Sequence, residues 1–468
     1  MHITSEISVM PAAVNRVIAL LQSKFRDRIN ISRAAREEHA SGEGVTKSLP
    51  PDAVIWPSDK HEVCEILALC NENNVPVIPY GVGSSLEGQV CAPYGGICID
   101  LSRMNSVLAV NIIDSDCVVQ PGVTREDLNA NLKGSGLFFP VDPGANASIG
   151  GMVSTRASGT TTIRYGSMIH NVMALEVALA DGRLVRLGTR ARKSSAGYDL
   201  VHLMVGSGGT LGVITEVTLR LHPLPSEVVA ASCAFPTLED AVSAVTEITN
   251  SGVPVARIEF LDEHQIRACN SYSHLELPVL PTLFLEFHGT ASAVTEQTEF
   301  AQEVAANHGG IGFAWARRPE DRSKLWQARH MSYYAALALR PGCSPIIADV
   351  CVPMSALVEC VSRTRDDIDR EGLLAPILGH VGDGNFHVIF LPMPDAVAEH
   401  EAVERIYSAM VLHAQSVGGT CTGEHGIGML KKTMLLAECG PDVIEIMRGI
   451  KQIWDPKSIL NPGKIFGP

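Results

Sequence analysis

None of the 12 cysteines forms a Cys-x-x-Cys pair, so the spacing needed for an iron–sulfur cluster or a structural zinc site is missing. Scattered thiols of this kind fit a reducing compartment better than a disulfide framework. No unbroken apolar run approaches the roughly 20 residues of a transmembrane helix, and peripheral contact with a membrane stays open. Basic residues are the minority, 37 Lys and Arg against 51 Asp and Glu, and the resulting net charge of -14 argues against nucleic acid and against anionic lipid surfaces as partners. The stretch Met1 to Met10 contains Glu6 and no arginine, and it has neither the basic–apolar order of a secretory signal nor the Arg-rich character of a transit peptide. The expectation is a cytoplasmic protein, or an organellar one if the sequence is that of a processed form. There is no internal repeat and no low-complexity segment.

What the chain does contain is 468 residues, 46% of them apolar, too many for one ordinary core, so two or three domains are expected. Residues 8 to 38 carry helical periodicity. A strand at 53–57 is followed by a helix from near Ser58 and a second strand at 75–79, a βαβ unit that opens onto the loop Tyr80-Gly81-Val82-Gly83-Ser84-Ser85-Leu86-Glu87-Gly88. Glycines remove side chains from a ligand's path and leave backbone N–H groups able to donate to a phosphate. The loop is not a dinucleotide fingerprint, because Gly81-x-Gly83 is followed three residues later by Leu86 and no helix start follows.

Three further stretches of the same character come next. Pro121 and Gly122 precede a helix; Pro143, Gly144, Ala145, Ser148, Gly150, Gly151 and Ser154 run on to Ala157, Ser158, Gly159, Tyr165 and Gly166; and Gly206 to Ile214 includes Gly209 and Gly212. Interleaved with Val, Ile and Leu strands rather than forming a linker, they read as walls lying close to a large flat ligand. After Pro223 and Pro225 the pattern changes to strands at 228–235 and 282–288 with helices at 237–250, 291–307 and 355–371, which suggests an α+β cap on an antiparallel sheet. The tail from Ile453 through Asn461 to Lys464 reads as a turn-rich segment docking back on the body.

The chemistry is concentrated in Gly379-His380-Val381-Gly382-Asp383-Gly384-Asn385-Phe386-His387 and Gly423-Glu424-His425-Gly426-Ile427-Gly428. If Asp383-Gly384 forms a two-residue hairpin turn, His380 faces His387 across the strands, and directly opposed residues have Cβ atoms about 5 Å apart, a chelating distance. The two imidazoles could hold a divalent ion with Glu424 as a carboxylate third ligand and open positions for substrate. His425 could serve as a general base near neutral pH. The bland alternative is a pair of ordinary strand histidines and a Gly-rich surface loop.

Several longer segments carry a family resemblance: the Gly/Ser loops, Ala256 to Asp262, Leu325 to His330, Tyr334 to Leu339, Asp349 to Pro353, the histidine hairpin, and Gly418 to Gly428. Over nearly its whole length the chain resembles the flavin-dependent D-2-hydroxyacid dehydrogenase group of the vanillyl-alcohol-oxidase superfamily, and within it the cytochrome-linked D-lactate dehydrogenases. The resemblance implies an α+β fold: an N-terminal helical segment at 1–46, a two-subdomain PCMH-type FAD-binding domain at 47–225, a cap domain with an antiparallel sheet at 226–424, and a C-terminal segment at 425–468 that returns to the FAD domain. It implies FAD contacts along Pro79 to Ser85 and the Gly/Ser stretches above, including Gly212, Ile214 and Asn461. Relatives that tether flavin use a histidine where this chain has Ser84, so FAD is expected to be non-covalent. The chain departs from the family pattern at Ser84-Ser85 and at Gly209, which replaces a glutamate; both positions line the expected flavin site.

The same resemblance implies a Zn²⁺ or Mn²⁺ ion on His380, His387 and Glu424 that lowers the pKa of a substrate hydroxyl, Arg329 clamping the substrate carboxylate with its planar fork, His425 as general base, and Asn385 adding a hydrogen bond to the substrate oxygen. Hydride then passes from C2 to the flavin N5. Tyr333, Tyr334 and Leu337 read as packing residues. D-Lactate is the expected substrate, with glycolate and D-2-hydroxyglutarate as competitors. Cytochrome c, a quinone or an electron-transfer flavoprotein would take the electrons, and a homodimer is among the assemblies expected. A metal hydrolase would use the same His/His/Glu set without the Gly/Ser loops. A non-catalytic flavin-binding subunit would keep the loops without need of the metal ligands, Arg329 and His425.

Overall fold

The computed structural model describes residues 10–42 and 48–466, so the reading of Met1 to Met10 as free of a targeting signal lies, but for Met10, outside the described residues. The chain forms two compact units, one made of 1–158, 166–224 and 424–468 and the other of 159–165 and 225–423.

The first unit holds two sheets. The strands Ala53–Ile55, Ile97–Asp100 and Val77–Tyr80 run parallel, with Ile29–Asn30 antiparallel on the outer edge of Ala53–Ile55. Ala53–Ile55 and Ile97–Asp100 are buried throughout, as strands covered on both faces must be, and they read accordingly as apolar runs without alternation. Helix Lys60–Glu72 links the outer two of the parallel three. It begins one residue later than Ser58 would suggest because the Asp59 carboxylate caps it, accepting from the N–H groups of His61 and Glu62. Helix Pro11–Phe25 starts with proline at its first position and buries Val14, Val17, Leu21 and Phe25 at helical spacing in the same core, so the N-terminal helical segment is part of this unit. The second sheet is antiparallel, in the order Val107–Asn111, Asp116–Val119, Val213–Arg220, Val172–Ala178, Leu184–Gly188, over a separate core that includes Val119, Val153, Leu175 and Ile214. After helix Lys432–Trp454, kinked at Gly440-Pro441, the tail returns as expected: Leu460 bridges Val77, and Asn461 N–H donates to the Val77 carbonyl at 2.7 Å.

The second unit is a seven-stranded antiparallel sheet in the order Ile311–Ala316, Glu227–Ala234, Thr282–Gly289, Val255–Leu261, Ile377–Gly379, Asn385–Phe390, Ile346–Cys351. Helices Leu238–Asn250 and Ala291–Asn307 pack on it, and Met354–Glu371 packs against Leu238–Asn250, each close to the limits read from periodicity. On the two central strands the register pairs Arg257 with Glu286 and Glu259 with Phe284. Because side chains alternate between faces, these ionisable groups share one face with Leu261 and Phe284, beneath helices Glu263–Ser273, Pro319–His330 and Ser332–Leu339, which supply Ile266, Trp326 and Ala335 to the core there. Leu337 and Tyr333 pack against that core, while Tyr334 is 47% exposed. Among the described residues no helix is long and apolar enough to cross a membrane.

Candidate functional site

In the first unit the Gly/Ser stretches converge on one another. A Cβ on Gly81 would collide with the Ser148 hydroxyl, and one on Gly209 would press within 3.1 Å of Pro79. Gly150 N–H donates to the Pro121 carbonyl and Gly208 N–H to the Ser154 carbonyl, both at 2.8 Å. Asn461 Nδ2 donates to the carbonyls of Gly208 at 2.7 Å and Gln89 at 3.0 Å. Gly209 stands at φ +71°, a conformation that glycine adopts without cost. At Gly144 an added Cβ would meet nothing within 4 Å, so that backbone faces open space.

Three hydroxyls in these loops, Ser85 Oγ, Ser148 Oγ and Ser207 Oγ, are buried with no hydrogen-bond partner among the described residues. Buried polar groups are almost always satisfied in a working protein, and a ligand bearing phosphates and a polar ring edge would satisfy these. The loops therefore fit a dinucleotide of the FAD type. Beneath the first loop, His39 Nδ1 lies 2.8 Å from the Ala35 carbonyl and Nε2 3.0 Å from Asp100 Oδ2, with the Tyr80 ring tilted against it, centroids 4.4 Å apart. Burial opposes protonation of His39, but Asp100 and the Ala35 carbonyl outweigh it and hold its pKa above the ordinary value.

Of the residues expected at the flavin, Gly159 and Tyr165 belong to the cap unit. Tyr165 Oη lies 2.7 Å from His288 Nδ1, and His288 Nε2 lies 2.8 Å from Glu286 Oε1. Ser158 Oγ donates to Glu424 Oε2 at 2.6 Å.

In the cap unit the two expected ligands do come together, but by a different route. Val381–Asp383 forms a 3₁₀ turn, the strands pair Leu378 with His387, and only Gly384 of the Asp-Gly pair has positive φ, +78°. A two-residue type I′ turn needs positive φ at both central positions; the connection here spans His380 to Gly384. Gly384 has no room for a Cβ against the Val352 carbonyl, and Gly382 has none against Ile258 and Ile163, so only glycine fits at these two points of the longer loop. His380 thus stands at the strand end, and its ring meets that of His387 edge-on, centroids 5.5 Å apart.

Behind each imidazole stands a buried carboxylate. His380 Nδ1 lies 2.6 Å from Glu259 Oε1, and His387 Nδ1 lies 3.3 Å from Asp349 Oδ1, an electrostatic contact rather than an aligned hydrogen bond. Glu259 and Asp349 are fully buried. The other oxygen of Glu259 accepts from Arg329 Nε at 2.8 Å and faces Nη2 at 2.6 Å. Burial alone would push the Glu259 carboxyl up, yet His380 and Arg329 hold it below the ordinary value. Glu286 follows the same pattern, with Arg257 and His288 as the countering groups. Arg329 is committed to Glu259 along the Nε–Nη2 edge of its guanidinium. Asn385 Nδ2 donates to Asp349 Oδ1 and to the Val350 carbonyl, both at 2.7 Å. Those two bonds use both amide hydrogens, so the expected donation from Asn385 to a substrate oxygen gives way to a role in fixing Asp349. Thr422 Oγ1 and Gly423 N–H also donate to Asp349, each at 2.9 Å.

Glu424 and His425 belong to the first unit. There His425 Nδ1 lies 3.7 Å from Glu87 Oε1, which also faces Lys431 Nζ at 3.1 Å, and the His425 carbonyl accepts from Gln89 at 2.7 Å. Glu259, Asp349 and Glu87, which stand against His380, His387 and His425, are candidates that sequence reasoning passed over. A lone acid inside the otherwise apolar Ile258-Glu259-Phe260-Leu261 was the available signal for the first.

Two family descriptions match: FAD binding domain at residues 51–188, and FAD linked oxidases, C-terminal domain, at residues 224–465. A protein of Danio rerio named probable D-lactate dehydrogenase, mitochondrial, is 46% identical over 463 residues, 98% of this chain and 93% of that one. The D-lactate dehydrogenase [cytochrome], mitochondrial, of Arabidopsis thaliana is 46% identical over 89% of this chain and 74% of its own. A glycolate oxidase subunit of Bacillus subtilis is 32% identical over 96% of each. Among solved structures, 4-ethylphenol oxidase from Gulosibacter chungangensis and p-cresol methylhydroxylase each align with a TM-score of 0.78, at 19% and 16% identity, covering 98% of both chains; these share the fold.

Proposed function

Because the chain belongs to the FAD-linked oxidase family, whose members are flavin-dependent oxidoreductases, we propose that it oxidises a D-2-hydroxy acid, D-lactate to pyruvate, with a divalent metal on His380, His387 and Glu424. The observation that carries the metal is the pair of buried carboxylates behind the imidazoles. Metal-binding histidines nearly always turn their second nitrogen to such a partner, which fixes the tautomer and raises ligand basicity. With Nδ1 facing Glu259 and Asp349, each ring would bind through Nε2. Glu424 is peptide-bonded to Gly423, which Asp349 anchors in the cap. Two imidazoles and one carboxylate suit Zn²⁺ or Mn²⁺.

Bound FAD supplies a two-electron acceptor at N5, and the metal supplies Lewis-acid polarisation of the 2-hydroxyl. The chain's own side chains do the rest. Arg329, held by Glu259 on one edge, presents its Nη1 side to the substrate carboxylate and orients C2. His425, with Nδ1 toward Glu87, accepts the hydroxyl proton at Nε2. Asn385, Thr422 and Gly423 keep Asp349 aimed at His387. The relatives named as cytochrome-linked support a cytochrome as the electron acceptor; a cytoplasmic or an organellar location is compatible with the chemistry, and relatives named as mitochondrial favour the latter. The similarity to a glycolate oxidase subunit makes glycolate the second substrate to test.

The test is anaerobic titration of purified, FAD-supplemented protein with D-lactate, L-lactate and glycolate. D-Lactate is expected to bleach the oxidised-flavin band and L-lactate to leave it. A colourless protein, or bleaching that is unchanged after a chelator has removed all metal, would overturn the reading.

A further inference from the structure

The chain passes between its two units at Ser158–Gly159 and again at Gly423–Glu424, and the residues on the first-unit side of the two crossings are hydrogen-bonded to each other. Ser158 Oγ donates to Glu424 Oε2 at 2.6 Å, within the 2.5–2.7 Å range of a charge-assisted hydroxyl–carboxylate bond. The hydroxyl expected to serve the flavin is turned instead to a candidate metal ligand. We infer that Ser158 is a positioning residue for Glu424, one that fixes the orientation of its carboxylate for a divalent cation. This deepens the metal reading above and rests on it.

The surroundings make Ser158 a fixed donor rather than a passing neighbour. Helix Ile149–Thr155 ends at Arg156 in the left-handed region, φ 56°, and the next backbone group is held from both sides, Ala157 N–H by the Met152 carbonyl and Ala157 carbonyl by Met168 N–H, each at 2.9 Å. On the far side Gly159 N–H is held by Thr162 Oγ1 at 3.0 Å. Oε1, the second oxygen of Glu424, lies on the side of His425 Nε2, 4.0 Å away. A carboxylate with one oxygen fixed by a rigid hydroxyl loses its rotational freedom about the terminal bond, so the ligand is pre-aligned. In the absence of that bond Glu424 would sample other rotations and bind the ion less tightly, while nothing in the flavin loops would change.

The experiment compares wild type, Ser158→Ala and Ser158→Thr as FAD-loaded full chains. Metal affinity is read by competition with a coloured chelator, with flavin content from the absorption band as an independent measure. Loss of an outer partner of a metal ligand costs roughly 10- to 100-fold in affinity, and that loss is expected for Ser158→Ala with flavin content unchanged and with recovery in Ser158→Thr, whose hydroxyl keeps the bond. Unchanged metal affinity in Ser158→Ala overturns the inference, as does a loss of flavin with metal affinity intact. If wild type itself binds no stoichiometric metal, the metal reading fails first and this inference falls with it; a metal-binding wild type with an indifferent Ser158→Ala removes only the inference.

Discussion

Replacing Glu259 by glutamine should separate the structural from the chemical work of a single buried acid. The carboxylate has no exposed surface, and it faces Arg329 at 2.6 and 2.8 Å and His380 at 2.6 Å. The glutamine is isosteric but uncharged, so Arg329, 9% exposed, is left as a buried cation without its counter-charge. Breaking a buried ion pair on one side costs about 3–5 kcal/mol. For a domain of this size about 1 kcal/mol moves the melting midpoint by roughly 2–4 °C, so the cap transition should fall by roughly 6–20 °C. The same change replaces the charged acceptor behind His380 by a neutral amide, which weakens the ligand's basicity and loosens its orientation, and metal affinity should drop roughly 10- to 100-fold. Removing both charges in Glu259→Gln/Arg329→Met should restore most of the stability, because no buried charge is then stranded, yet leave metal affinity low. Cap unfolding can be followed through Trp315 and Trp326, and metal by chelator competition. If the double variant recovers metal affinity along with stability, or if the single variant melts like wild type, the assignment of Glu259 to both tasks is refuted.

Other expectations follow from the same geometry. His425→Ala should lower turnover with D-lactate by about 10²- to 10⁴-fold, the usual worth of a general base, with the flavin spectrum retained; near-normal turnover would remove His425 from that role. Acid or heat denaturation should release free flavin into the supernatant, since Ser84 stands where tethering relatives carry histidine, and flavin remaining on the precipitated chain would contradict this. Both ring nitrogens of His39 face acceptors, an arrangement only the imidazolium satisfies. Its folded pKa is raised, so the stabilisation is fully present below about pH 6.5, the unfolded value, and is lost as pH rises through the folded value; Glu38, Asp100 and Tyr80 are the titratable groups around it. The melting midpoint should therefore fall over that alkaline interval and the fall should shrink in His39→Gln; the same slope in both proteins would rule the pair out. His222, accepted by Asn171 Oδ1 at 2.9 Å, is driven the other way by burial, to about 4, so its contribution is lost as pH falls from about 6.5 toward that value, and His222→Asn should flatten the acid limb of the same curve.

Features that depend on neighbours in sequence were legible. Helix Ala291–Asn307 has the limits its periodicity implied, and Thr282–Gly289 and the return of the tail could be read from composition and turn residues. The Gly/Ser loops announced close approach because glycine leaves a mark in the sequence wherever backbone must pass near another atom. What escaped were relations across sequence distance. Glu259 is paired with His380 and Arg329, and Asp349 with Asn385 and Gly423; a carboxylate in a strand does not say which distant residue it will face. The hairpin shows the limit of local rules: Asp383-Gly384 is a favourable turn pair, but Gly382 pressed on Ile258 and Ile163 and Gly384 pressed on Val352 sit under tertiary constraint in a longer connection. Ser158 and Tyr165 could be placed in a flavin stretch by their neighbours, whereas their partners, Glu424 and His288, come from folding.

The strand Val77–Tyr80, which leads into the first glycine loop, takes its edge partner from Ile459 to Asn461, near the opposite end of the polypeptide. Asn461 then reaches on to Gly208, a second glycine stretch. Contacts of such long range are slow to form, so this edge of the sheet closes only after chain segments far apart in sequence have met. A chain cut between these segments would keep most of the Gly/Ser loops but lose the strap at Asn461 that ties Gln89 and Gly208 together.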